Sequence, residues 1–473
     1  MGARLHHTLH TVQQLTLTRL EERLRPCLPN DLLQAPSAKE NSRNRIFCLP
    51  RTFFCWIWQM LNLNAPCREV VRQVQALFAL EAGPQVDEHN SAYCQARRRL
   101  PTALLQKALT ASAKTARQRV GPLPLLRGRP LKAVDGTGLR LADTSENQNP
   151  YPQPANQTPG CGFPVMRLVV LFCMVSGAIV AQCTGSLSQV EMSLFHTLFR
   201  NLQSDDIVVA DRGFGNFVAV ALLASIGVDF IGRVPTNARR VDFRCGKALG
   251  KDDRIMEWKK GIHGARWISA ALWQSLPAKI TLRLVRTRVA CKGFRVKQIT
   301  LVTTLLDASL YPPQEILAAY LRRWRLELCL KDLKVTFGLE QLKCLSPAMA
   351  QKELLAGLVT HNLLRCLMAE AAQTHAIELD RVSVKGSLDA LRQFSIGMAQ
   401  TRTAKKRRHL WALLLQTLAK DLVPERPGRR QPRAVKKRPK YPRLNKPRHL
   451  YVDRWSRNKR RRVARAKTNA PLI

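Results

Sequence analysis

The chain has 473 residues, with 77 Lys and Arg against 33 Asp and Glu and a formal net charge of +44. That excess goes far beyond what solubility needs and points to a polyanionic partner, nucleic acid being the most economical choice. The longest apolar run, Leu168 to Ala181, is too short for a bilayer and is interrupted at Ser176-Gly177, so no membrane role is expected. The 13 cysteines are scattered without a Cys-x-x-Cys pair, which argues against a disulfide framework or zinc module. Reduced core thiols in a cytoplasmic protein fit this pattern.

Residues 1–120 read as helical. Between Arg68 and Leu80 the side chains of Val70, Val71, Val74, Leu77 and Phe78 share one face, an ordinary core stripe. Pro101 opens another helix. Ser91 to Leu100 is a basic patch carrying Tyr93, and reads equally as a phosphate contact or a solvated helix end.

From about residue 130 the period shortens to two. Leu131 to Leu141 alternates like a strand with Asp135 inside it, and Asp143 begins a polar, Pro-rich loop. Leu168–Ala181 reads as two strands, Gln189–Asn201 as helix, and Asp206–Ala210 as a strand ending at Asp211-Arg212-Gly-Phe-Gly. A helix from Phe217 and a strand from Val228 follow. This order suits a mixed sheet with helices on its faces, where ligands gather at carboxyl ends of strands. Asp211 stands at such an end, although an Asp there is by default a cap for the next helix.

Residues 235–305 alternate in short stretches and read as a β-rich insertion, with Trp258, Trp267 and Trp273 packing its own small core in preference to the alternative of stacking on bases. Helices are expected over Ala348–Ala372 and Gly386–Ala399. The last 50 residues hold 19 Lys and Arg and two acids. Such a composition rarely folds alone, and Tyr441, Tyr451 and Trp455 among the cations suggest ordering on nucleic acid.

Tyr320 to Lys334 contains no Gly or Pro and reads as helix. At about 100° per residue, Tyr320, Arg323, Glu327 and Lys334 fall within an arc of roughly 60°. Leu317, Leu321, Trp324 and Leu328 border it on one side, Leu326, Leu330 and Leu333 on the other, and Arg322, Arg325 and Asp332 lie opposite. This places the polar arc in the middle of the side facing the protein. A solvated ion-pair ladder is the ordinary reading of such charges. The apolar borders favour instead a carboxylate kept ionised by a bound cation or a cationic neighbour.

Asp135, Asp211 and Glu327 come from a strand, a strand end and a helix. Hard oxygen donors of this kind suit two Mg²⁺ ions, with Mn²⁺ able to substitute, and leave positions for phosphate and water. Arg323 and Lys334 would offset phosphate charge, with Tyr320 donating a hydrogen bond. Asp143 rivals Asp135 but lies in a loop; Asp332 rivals Glu327 but projects away from the arc.

The spacing Tyr320-x2-Arg323-x3-Glu327-x6-Lys334 resembles the signature of DDE transposases from insertion-sequence family four. Asp135-Gly-Thr, Asp143-Thr-x-Glu-Asn-Gln, Gly160-Cys-Gly-Phe-Pro and Ala210-Asp211-Arg212-Gly-Phe add to the likeness, which spans about residues 45 to 450. The resemblance implies an α/β mixed fold: a ribonuclease-H-like catalytic core with a β-rich insertion, an all-α N-terminal domain, and a helical C-terminal part with a basic tail. The boundaries that go with it are 1–120 for the DNA-binding helical region, 121–234 and 306–345 for the core, and 235–305 for the insertion. C-terminal helices for dimerisation would occupy 346–423 and the tail 424–473.

The same resemblance implies that Asp135, Asp211 and Glu327 are catalytic metal ligands and that Tyr320, Arg323, Lys334 and Arg212 contact DNA. Cleavage at terminal inverted repeats, strand transfer to target DNA and a homodimer in a synaptic complex follow from it. The alternatives are a structure-selective nuclease of the same fold and a domesticated or decayed DNA-binding relative without catalysis. Relatives that use a DNA hairpin hold a flipped base on an insertion tryptophan, and no tryptophan lies between Trp273 and Trp324 to take that role.

Overall fold

In the computed structural model, residues 21–34, 45–63, 65–80, 85–234, 242–288, 298–401 and 403–424 are described. The basic tail, with Tyr441, Tyr451 and Trp455, lies outside them. The N-terminal helices are α1 (Leu49–Leu61), α2 (Cys67–Leu80), α3 (Ser91–Arg99) and α4 (Thr102–Gln118). Helix α1 is apolar nearly all round because it serves two cores. Phe53, Trp56 and Ile57 join the main cluster, while Cys55 and Trp58 meet Val70, Val71 and Val74 of α2.

The basic patch of α3 divides. Tyr93 and Arg97 turn inward, whereas Arg98 and Arg99 remain exposed.

Strand β1 (Leu131–Arg140) pairs antiparallel with β2 (Val165–Cys173), and β2 with β3 (Ile179–Ser186). Between β2 and β3 the chain reverses through Gly177 at φ +69°, a left-handed conformation that glycine adopts without strain. Helix α5 (Glu191–Thr197) leads to β4 (Ile207–Ala210), and α6 (Phe217–Ser225) leads to β5 (Asp229–Arg233). Strands β1, β4 and β5 run parallel.

The insertion contributes β6 (Lys247–Gly250), β7 (Asp253–Lys259), α7 (Ala270–Ser275), β8 (Lys279–Arg288) and β9 (Gln298–Thr303). Because β9 pairs antiparallel with β5, these strands extend the same sheet, whose order is β3-β2-β1-β4-β5-β9-β8-β7-β6. The expectation that the insertion tryptophans pack a core of their own is therefore corrected. Trp258, Trp267 and Trp273 lie against the cluster that also holds Phe195 and Phe230, since the apolar face continues unbroken across the β5–β9 pairing.

The chain then forms α8 (Pro313–Arg322), α9 (Trp324–Lys331), α10 (Pro347–Thr374), α11 (Val384–Gln400) and α12 (Ala404–Lys420). Helix α10, about 42 Å long at 1.5 Å per residue, is buried along most of its length and packs with α4 against the sheet. Alternation along β1 assigns the two faces. Leu131 and Ala133 join α4, α8, α9 and α10 in one cluster, while Val134 joins α5 and α6 in the other. Both sheet faces are thus covered, which explains why β2 reads as a continuous apolar run from Leu168 onward. Among the described residues no helix is long and apolar enough to cross a membrane.

Candidate active site

The pairing register brings two of the three acids together. Val134 of β1 is the partner of Ala210 of β4, and both belong to the α5–α6 face. The next residues, Asp135 midway along β1 and Asp211 just past the end of β4, therefore turn to the opposite face from neighbouring positions on parallel strands. Ala210 in turn pairs with Gly232, which puts Arg233 next in the row.

Asp211 accepts from the amide of Arg212 at 2.7 Å. The capping reading fails for it, because α6 is capped by Asn216, whose side chain accepts from the Ala219 amide at 3.0 Å.

Helices α8 and α9 cross this row on the same face. The predicted single helix carries two departures. At Arg323 the hydrogen bonds shorten to three-residue turns, with the Arg323 amide donating to Tyr320 O at 3.0 Å and the Leu326 amide to Arg323 O at 2.9 Å. Over Asp332–Thr336 the turn widens to π, with the Phe337 amide donating to Asp332 O at 2.9 Å. Such single π turns are enriched at functional sites.

Only one predicted apolar border is fully buried. Leu326, Leu330 and Leu333 join the core; on the other border Leu317 and Leu321 pack half-buried against it, whereas Trp324 and Leu328 are 44% and 47% exposed. The polar arc is thus at the rim of the buried side, not in its middle. The predicted far side is covered too: Arg322 pairs with Asp380 at 2.7 Å, and Arg325 pairs with the same carboxylate.

The polar groups face one another electrostatically. Burial pushes the Asp135 carboxyl above its usual range; the Gly136 amide at 2.8 Å and Arg323 pull it down, while Glu327 and Asp211 push it up. Arg323 donates to Glu327 Oε1 at 2.9 Å and lies 5.6 Å from the centre of the Tyr320 ring. Burial raises the Tyr320 hydroxyl, with Arg323 and Arg233 opposing and Asp211 adding to the rise. Burial works against the Arg323 charge, and Tyr320, Asp211 and Glu327 outweigh it, leaving the guanidinium raised.

Lys334 falls in the π turn, half-buried, and makes no hydrogen bond or ion pair with the acids among the described residues. Arg212 is exposed beside Asp211. Among the described residues no three His, Cys, Asp or Glu side chains stand close enough to hold a metal ion as they are placed, Glu327 being engaged by Arg323.

The rival acids lie elsewhere. Asp143 accepts from Gln148 at 2.9 Å in the loop beyond β1, and Asp332 accepts from Thr336 at 3.0 Å and faces Arg365. Arg233 was not singled out from the sequence. Its signal was a cation at the carboxyl end of a short apolar strand, the same place that marked Asp211.

The sequence model of the transposase DDE domain matches residues 126–363, which carry all three acids. The chain is 25% identical over 359 residues to the transposase InsG for insertion sequence element IS4 of Escherichia coli strain K12, covering 76% of this chain and 78% of that one. To the putative transposase InsZ of the same strain it is 29% identical over 162 residues, 33% of this chain and 52% of InsZ. Among solved structures, the piggyBac transposase synaptic complex with hairpin DNA aligns over 86% of this chain and 83% of that one, at 11% identity and a TM-score of 0.37, a likeness too distant to carry an argument.

Proposed function

The chain belongs to the transposase DDE-domain family and is a DNA transposase, and from that premise we propose that Asp135, Asp211 and Glu327 are its catalytic carboxylates. The observation that carries this reading is the Val134–Ala210 pairing, which sets Asp135 and Asp211 side by side on the face crossed by Glu327. Strands β1 to β5, in the order 3-2-1-4-5 with the first three antiparallel, form a ribonuclease-H-like core, and the insertion widens it at β5.

The family uses divalent metal. In this chain Asp135 and Asp211 would hold it with Glu327, as two Mg²⁺ ions or Mn²⁺ in their place, supplying Lewis-acid activation at phosphorus. The donor chemistry fits: burial first, with Glu327 and Asp211 adding to it, raises the cost of ionising Asp135, a cost that a divalent cation relieves.

The remaining roles belong to protein groups. Glu327 turns from Arg323 to the site, and Arg323 is released to hold phosphate oxygen. Their pair is 16% and 40% exposed, so giving it up costs under about 1 kcal/mol. Tyr320 donates from its raised hydroxyl, and Arg212, Arg233 and Lys334 offset charge along the strand. The N-terminal helices, with exposed Arg98 and Arg99, and the tail bind terminal inverted repeats. Two copies join the ends and target DNA in a synaptic complex, with residues 346–423 forming the dimer surface. The setting is the bacterial cytoplasm, at the nucleoid.

The test is cleavage of the cognate element ends with Mg²⁺ by Asp135→Asn, Asp211→Asn and Glu327→Gln. Each is expected to fall by at least about a hundredfold, several kcal/mol of barrier. Strand cleavage retained in any of the three would remove that residue from the set.

A further inference from the structure

Away from the acids, α1, α2 and α3 meet the loop between the π turn and α10 around a buried guanidinium. Arg97 is 7% exposed, and among the described residues no carboxylate forms an ion pair with it. It donates to Gln59 Oε1 at 3.4 Å, to Cys67 Sγ at 3.0 Å and to Cys344 Sγ at 3.2 Å, and its guanidinium lies 4.3 Å from the centre of the Trp56 ring. Glu353 acts on it only from further away, its Oε2 accepting from the Lys343 and Cys344 amides at 2.9 Å. A buried cation without an anion is costly, and a thiolate is the anion nearest at hand.

Cys67 is the sulfur so placed. It stands at the first turn of α2, accepts from Arg97 and from Gln59 Nε2 at 3.8 Å, and borders the same cavity as the thiol of Cys94, which acts on it electrostatically. Cys94 is exposed, and both line a cavity of about 880 Å³. We propose that Cys67 and Cys94 form a peroxide-reactive thiol pair, with Cys67 the attacking sulfur, Arg97 its activating cation and Cys94 the resolving sulfur.

The electrostatics agree with that division. Cys94, Arg97 and Gln59 bring the Cys67 thiol down to about 6 against burial. The Cys94 thiol is pushed up by Cys67 in turn. Burial and Glu353 push Cys344 up to about 12, so it stays protonated.

The co-reactant is hydrogen peroxide. The Cys67 thiolate attacks one oxygen; an S–O bond forms, the O–O bond breaks and hydroxide leaves, giving a sulfenic acid. Cys94 passes its proton to that hydroxide and its sulfur attacks Cys67, forming S–S and expelling the sulfenic oxygen, which leaves as water once protonated. Two thiols and one peroxide become a disulfide and two waters: the sulfurs are oxidised and the peroxide is reduced. None of this depends on the reading of the acids.

The experiment uses the full-length protein, iodoacetamide across a range of pH, and peptide mapping by mass spectrometry, with exposed Cys245 as internal comparator. Alkylation of Cys67 is expected to have its midpoint near pH 6. At that pH the thiolate fraction gained is expected to outweigh the nucleophilicity lost, so that Cys67 is alkylated faster than Cys245. Arg97→Gln should move the midpoint upward. Equimolar peroxide should yield a Cys67–Cys94 linked peptide. If Arg97→Gln does not fold, Cys94→Ser supplies the second reading, with a dimedone adduct accumulating on Cys67 after peroxide. A Cys67 midpoint equal to that of Cys245, no Cys67–Cys94 link, or no dimedone adduct in Cys94→Ser would each overturn the proposal.

Discussion

Arg323 donates to Glu327 at 2.9 Å across one helical turn, so the acid proposed for metal and the cation proposed for phosphate neutralise each other before DNA arrives. The pair is cheap to break, and its value lies in what each partner does afterwards. Arg323→Gln is therefore expected to change stability by less than about 1 kcal/mol while end cleavage falls about 10²- to 10³-fold. Urea unfolding and single-turnover cleavage measure the two effects separately. Equal losses in both would make Arg323 a structural residue.

Asp135 keeps its proton to a higher pH in the folded chain than in the unfolded one. Its effect on stability is nil below the ordinary carboxylate range. Above that range the unfolded chain ionises first, so stability falls until the folded carboxyl ionises as well. Asp135→Asn is expected to raise the Tm of the metal-free protein at pH 7 by roughly a few degrees, and to leave it unchanged near pH 3. Adding Mg²⁺ should reverse the order, raising the Tm of the unaltered protein and not that of the variant. Thermal melts in EDTA and in Mg²⁺ check both arms.

The places of Asp211 and Glu327 in the chain were legible, one at the end of four buried apolar residues and one within a helix. Strands β1, β8 and β9 were legible from alternation, and β2 and β4 from short apolar runs. The tightened turn at Arg323 and the π turn at Asp332 were not, since 3.6-residue periodicity carries no record of where a helix is over- or underwound by its packing. Arg97 was hidden for a related reason. Three consecutive arginines look alike until Trp56, Gln59 and Cys67 select one of them for the interior. The tryptophans of the insertion were misplaced because an alternating pattern does not reveal whether its strands found a new sheet or join an old one.

His361 sits fully buried in α10, with Nε2 donating to Gly177 O at 3.1 Å and its ring 5.6 Å from that of Phe337. Burial brings its pKa down from 6.5 to about 4. A base depressed in this way contributes stability above its unfolded value and loses it as the pH falls from about 6.5 toward 4. The amount at stake is on the order of 3 kcal/mol. His361→Gln, which retains a donor for Gly177, should flatten that acid limb. Urea midpoints between pH 7 and 4 measure it, and a parallel pH dependence in both proteins would exclude His361 as its source.

The insertion is tied to the start of α8, the helix that leads into the one carrying Glu327, by one fully buried arginine. Arg283 of β8, 0% exposed, grips Asp253 of β7 at 2.8 and 2.6 Å and donates to Tyr311 O at 2.7 Å, just before α8. Removing one partner strands a charge in the interior, which costs about 3–5 kcal/mol, whereas replacing both with apolar residues of similar volume is often neutral. Asp253→Asn and Arg283→Met are each expected to lower unfolding free energy by that amount. The double change Arg283→Met with Asp253→Leu should recover most of it, while leaving the Tyr311 carbonyl without its donor. End cleavage by the double variant then separates the two roles of the latch. Full stability with reduced cleavage would mean that Arg283 positions α8 through Tyr311, and full recovery of both would mean that the pair serves folding alone.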